Sequence, residues 1–99
     1  MPHDKPSKED WQLGVGAGWA EIVGNLVDLC EKHGVEILQV KEKFGGLRFY
    51  VGSAPDLVHD AIEEAEDQSV RVCEVCGEPG QTINRQGWLM TRCEAHNAT

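Results

Sequence analysis

Two short motifs near the carboxyl end constrain this 99-residue chain more than any other feature. They are Cys73-Glu74-Val75-Cys76-Gly77 and Cys93-Glu94-Ala95-His96, and 16 residues separate Cys76 from Cys93. A gap of two residues lets both side chains of a pair converge on one ion, and two such pairs complete a tetrahedron. Three thiolates and an imidazole suit Zn²⁺ best, with iron a poorer fit. Cys73, Cys76, Cys93 and His96 are therefore the expected metal ligands. Because all four ligands come from the protein, no position stays open for water or substrate, and such a zinc is structural. The competing reading is a Cys73–Cys76 redox disulfide of the thioredoxin kind, which requires a helix directly after the second cysteine. Gly77-Glu78-Pro79-Gly80 forbids one.

The residues between the pairs sharpen this expectation. Gln81 to Asn84 and Trp88 to Arg92 can pair as a hairpin around Arg85-Gln86-Gly87, which places Cys93 to His96 in the first turn of a short terminal helix. Knuckle, hairpin and ligands on a helix N-terminus follow one another in the order of a treble-clef finger. Gly77 is expected to make a tight turn whose amides point at thiolate sulfur.

Upstream, the apolar residues Trp19, Ile22, Val23, Leu26, Val27, Leu29 and Cys30 recur with the period of an amphipathic helix. Lys32 and His33 suit its negative end, and Gly34 suits the position just after it. From Val35 to Val51 the pattern changes to alternation, with Leu38, Val40 and Phe44 before Gly45-Gly46 and Leu47, Phe49 and Val51 after it. A two-residue turn at the glycines predicts a hairpin pairing Phe44 with Leu47 and Lys43 with Arg48. Glu42 then falls on the apolar side, so either the register differs or this carboxylate has a specific partner. Ser53 is the expected N-cap of a second helix, with Leu57, Val58, Ala61, Ile62 and Ala65 on its buried side. The fold class is α+β: helix, β-hairpin, helix, then a treble-clef-like zinc-binding ββα unit. Residues 1–17 read as a flexible arm and entry loop, 18–70 as an α-β-β-α domain, and 71–99 as the zinc unit packed on it. Gly14, Gly16 and Gly18 belong to that entry loop rather than to a phosphate-binding turn, since nothing before Trp11 reads as a strand.

Composition excludes several functions. No apolar run approaches the roughly 20 residues that span a bilayer, and the charged start argues against a secretory signal. The zinc deaminase pattern requires an upstream H-x-E and a proline before the first cysteine. His59-Asp60-Ala61 and Val72 supply neither. No histidine lies between Cys76 and Cys93 to act as the general base of a treble-clef nuclease. His33 and His59 read as helix-surface residues and Cys30 as a buried small hydrophobe. The expectation is a protein without catalytic residues.

Charge then marks two candidate binding surfaces. The formal net charge is -8, and residues 1–68, with 6 basic and 14 acidic side chains, supply all of it. Asp56, Asp60, Glu63, Glu64, Glu66 and Asp67 line the second helix opposite its apolar side. Such a stripe is either a solvated face or a site for a basic partner. The second surface is the hairpin face of Lys41, Lys43, Arg48 and Tyr50, which could hold single-stranded nucleic acid. The acidic balance of the chain and the neutral zinc segment weigh against that alternative.

The run Gln39-Val40-Lys41-Glu42-Lys43-Phe44-Gly45-Gly46-Leu47-Arg48-Phe49-Tyr50, the Cys73 to Gly80 segment, Gly87-Trp88 and Thr91 to His96 together resemble a group of small uncharacterised proteins of bacteriophages and prophages. The resemblance spans roughly residues 18–97. It implies a mobile-element origin and a bacterial cytoplasmic setting, with no activity to carry over. By analogy with other small acidic phage proteins, it points to a host-takeover or anti-defence inhibitor, of the anti-CRISPR kind, that binds a protein partner.

Overall fold

The computed structural model describes residues 6–97, and the part of the expected arm before Pro6 lies outside them. Ser7 opens the first element, α1 (Lys8–Gln12), with a reciprocal capping box. Its hydroxyl accepts from the Asp10 amide at 3.2 Å, and the Asp10 carboxylate accepts from the Ser7 amide at 2.9 Å. Lys8 bonds Asp28 at 3.1 Å, tying α1 to the following helix. The expected flexible arm is thus corrected from Ser7 onward: two orphan helix amides are satisfied locally, and Trp11 packs against the core.

A 3-10 turn at Ala17–Trp19 leads into α2 (Ala20–Lys32). Its C-terminus closes as anticipated. Gly34 takes φ +66, the Gly34 amide donates to Glu31 O at 3.3 Å, and the Val35 amide donates to Cys30 O at 2.8 Å. These two bonds are the Schellman pattern.

Strands β1 (Ile37–Lys43) and β2 (Gly46–Val51) form an antiparallel hairpin. The turn lies at Phe44-Gly45, with φ +56 and +82, rather than at Gly45-Gly46. The pairs are therefore Lys43 with Gly46, Glu42 with Leu47, Lys41 with Arg48 and Val40 with Phe49. This corrects the expected register, and the physical reason is that the two glycines do different work. Gly45 has the left-handed conformation, whereas Gly46 is a strand residue on which a Cβ would stand 3.3 Å from Val70 Cγ1. Glu42 locks the turn by accepting from the Gly45 amide at 2.8 Å, so the odd carboxylate does have a specific partner. Sliding the pairing by two positions preserves both faces. Val40, Leu47 and Phe49 are buried as expected, while Phe44 is 65% exposed in the turn and Leu38 is 55% exposed at a register irregularity between Ile37 and Gln39.

Helix α3 (Asp56–Ser69) is capped by the backbone of Pro55, not by the Ser53 side chain. The Pro55 carbonyl accepts from Val58 at 2.9 Å and His59 at 3.3 Å. Val58, Ile62 and Ala65 join Trp19, Val23, Leu26, Val27, Cys30, Leu47 and Phe49 in one core cluster, and Leu57 is exposed. α3 also closes the outer edge of β2. Ser69 Oγ accepts from the Leu47 amide and Glu66 Oε2 accepts from the Phe49 amide, both at 2.9 Å. An edge strand with free amides invites pairing with another chain, and these side chains remove that opportunity.

The second antiparallel hairpin, β3 (Gln81–Arg85) and β4 (Trp88–Arg92), turns at Gln86-Gly87 with φ +55 and +88, and β3 reaches one residue further than expected. A final turn, α4 (Glu94–Asn97), follows Cys93. The architecture is α+β, with a carboxyl-terminal ββα unit that carries the Cys/His motifs.

Candidate metal centre

The four predicted ligands converge. One ligand atom from each of Cys73, Cys76, Cys93 and His96 lies within 4.8 Å of all the others. Cys76 Sγ is 3.6 Å from Cys93 Sγ, Cys73 Sγ is 3.7 Å from His96 Nδ1, and Cys93 Sγ is 3.1 Å from the same nitrogen. A tetrahedral ion with metal–sulfur bonds of about 2.3 Å has ligand–ligand edges of about 3.8 Å, so the cluster has the right size for one ion. All four cysteines are free, which removes the Cys73–Cys76 disulfide.

Local backbone geometry explains the convergence. Gly77 takes φ +85, its amide donates to Cys73 O at 2.9 Å, and the Cys73 amide donates to Glu78 O at 2.7 Å, so the C-x-x-C segment folds back on itself. Burial raises the Cys73 thiol pKa, but amides of Cys93, Cys76 and Val75 and the Cys76 side chain outweigh it and bring the value down to about 6. A lowered thiol pKa favours the thiolate that a metal needs. Cys73 and Cys93 are buried, His96 is half-buried and Cys76 is exposed at the rim. Cys30, away from the cluster, sits in the core, where burial pushes its thiol up.

Sequence reasoning missed the residues that fix this unit to the rest of the chain. Glu74 accepts from the Thr91 amide through Oε2 at 2.9 Å and donates its own amide to Thr91 O at 3.0 Å, locking the knuckle to β4. Thr91, fully buried, also donates its hydroxyl to Gly45 O in the first hairpin turn. The Gly18 amide donates to Glu74 O at 2.9 Å, and the indole N–H of the fully buried Trp19 donates to Val72 O at 2.8 Å. A Cβ on Gly18 would lie 2.0 Å from Cys73 O, and one on Gly16 would lie 2.2 Å from Glu74 O. The glycine-rich segment is thus a seat against which the metal knuckle packs backbone to backbone. It is not the loose entry loop that its composition implies, and no local sequence signal marks the distant backbone that Gly16 and Gly18 approach.

The two predicted binding surfaces are placed separately. Asp56, Asp60, Glu63, Glu64 and Asp67 are exposed along α3. Glu66 leaves that group, because its carboxylate is engaged by β2. Lys41, Lys43, Arg48 and Tyr50 share the outer face of the first hairpin, where Lys41 rather than Lys43 stands opposite Arg48. His33 and His59 are exposed, and among the described residues no helix is long and apolar enough to cross a membrane. Comparison with protein-family models, curated proteins and solved structures gives no match for this chain.

Proposed function

We propose that this chain is a zinc-stapled, non-catalytic binding protein whose acidic α3 face engages a basic protein partner. The observation that carries the reading is the closed Cys3His set, Cys73, Cys76, Cys93 and His96 at tetrahedral spacing. Three thiolates and one imidazole are zinc chemistry, and four protein ligands leave no coordination position for a reacting group. In small fingers such a zinc is worth on the order of 10–16 kcal/mol of apparent binding energy, which makes it a folding device.

The partner half rests on Asp56, Asp60, Glu63, Glu64 and Asp67, all exposed and none in a salt bridge among the described residues. The setting proposed is that of a phage- or prophage-encoded protein in the bacterial cytoplasm, acting as a host-takeover or anti-defence inhibitor. Affinity capture of the zinc-loaded chain from a bacterial host lysate tests this, with Asp60→Lys/Glu63→Lys as the paired variant. A host protein retained by the native chain and lost with the variant supports the reading. Equal retention by both refutes the α3 face as the docking surface.

A further inference from the structure

The outer face of the β1–β2 hairpin carries three cations, Lys41, Lys43 and Arg48, in a chain of formal charge -8. None of the three has a carboxylate within salt-bridge distance among the described residues. Lys41 and Arg48 stand directly opposite each other, an arrangement that costs stability until a counter-charge arrives. Each lysine also lies beside a ring. Lys43 Nζ is 5.4 Å from the centre of the Phe44 ring, and Lys41 Nζ is 5.8 Å from that of Tyr50. The rings are 65% and 41% exposed, although both residue types gain by burial. Lys41 and Lys43 are two strand positions, about 6.6–6.8 Å, apart, whereas Tyr50 stands opposite Gln39 and so lies about five positions, roughly 16 Å, from Phe44; the rings mark the two ends of the cationic row.

We propose that this face binds single-stranded nucleic acid, with bases stacked on Phe44 and Tyr50 and phosphates held by Lys41, Lys43 and Arg48. A nucleotide offers one flat π-face and one anion, which is what each lysine-and-ring pair complements. An acidic polypeptide would use the cations and leave the rings idle. The negative net charge is no obstacle, because it is segregated. Val58, Ile62 and Ala65 turn one side of α3 into the core shared with Leu47 and Phe49, and none of its exposed acids comes within 4.0 Å of Lys41, Lys43 or Arg48. A helix with side chains is about 10–12 Å thick. Charges more than about 8 Å apart across solvent are largely screened at physiological ionic strength.

The test is fluorescence anisotropy of a labelled oligothymidine, about 12 nucleotides long, with the metal-loaded full chain. Neutralising three phosphates of a single strand gives a log–log salt slope of about -2, so affinity falls about 20-fold between roughly 50 and 200 mM salt. Phe44→Asn, which tolerates the left-handed backbone at this position, and Tyr50→Thr, which keeps the strand, each weaken binding at least about fivefold. Lys41→Gln with Lys43→Gln reduces the slope to about -0.7. Circular dichroism confirms that each variant is folded, and Asp60→Lys/Glu63→Lys keeps full oligonucleotide affinity, which separates this site from the α3 reading. Absence of binding at low salt overturns the proposal. Binding that the ring variants leave unchanged, or that poly-glutamate displaces at equal charge, overturns it in favour of an acidic protein partner.

Discussion

Replacing Gly18 with alanine is a small change in composition and a large one in this structure. Its backbone is not left-handed, so the cost is purely one of space. The added Cβ would meet Cys73 O at 2.0 Å, Gly77 N at 2.6 Å and Glu74 C at 2.7 Å, all backbone atoms of the knuckle. None is the flexible end of a side chain, so the seat and the knuckle must separate. Separation breaks the Gly18 amide bond to Glu74 O and the Trp19 indole bond to Val72 O. Each hydrogen bond contributes about 1 kcal/mol net, and a buried group left without a partner costs about 1–3 kcal/mol. Alanine returns about 0.4–1 kcal/mol by restricting the unfolded chain. The expected loss is about 2–4 kcal/mol, measured by urea unfolding of the metal-loaded protein followed by far-ultraviolet circular dichroism. Because the knuckle carries two of the four ligands, metal affinity should fall with it, read by competition with a chromophoric chelator. Gly34→Ala is the control. That glycine has φ +66 but open space around it, so it loses only about 1 kcal/mol and leaves metal affinity untouched. A Gly18→Ala protein within about 0.5 kcal/mol of the parent, with unchanged metal affinity, would refute the packed seat.

Three further outcomes follow from the same contacts. Chelation should shift Trp19 emission to longer wavelength as the indole loses Val72 O, and should open Cys73, Cys76 and Cys93 to iodoacetamide while Cys30, buried with its thiol pushed up, stays protected until the core unfolds. Alkylation of Cys30 in step with the other three would contradict this order. Phe44→Asn should stabilise the chain by about 1 kcal/mol in urea unfolding, since asparagine tolerates φ +56 better than phenylalanine does. Glu66→Ala should cost about 1–3 kcal/mol by orphaning the Phe49 amide, and light scattering should detect increased self-association through the freed β2 edge.

What could be read from the residues alone divides along the distance over which each interaction acts. The two Cys/His pairs of the candidate metal cluster, the Schellman end of α2 at Gly34 and the β3–β4 hairpin each depend on neighbours a few positions apart, so spacing and turn chemistry suffice. The seat at Gly16 and Gly18 depends on backbone more than 50 residues downstream, and a glycine required by such an approach looks like a glycine in a loose loop. Register at Phe44-Gly45-Gly46 failed for a related reason. Two adjacent glycines signal a two-residue turn, but both pack against distant parts of the chain, Gly45 against Thr82 and Met90 and Gly46 against Val70, and nothing in the local sequence marks those contacts. Glu66 is indistinguishable by composition from the acids around it, and only its angle on α3 brings it to β2. The short helix α1 was legible in principle, since Ser7 and Asp10 stand at capping-box spacing.

Metal content tests the central claim most directly. Protein purified without chelator and measured by inductively coupled plasma mass spectrometry should contain one zinc per chain, and Cys93→Ser should sharply lower that content. Purified protein without stoichiometric zinc, or carrying a Cys73–Cys76 disulfide by mass, would contradict the account.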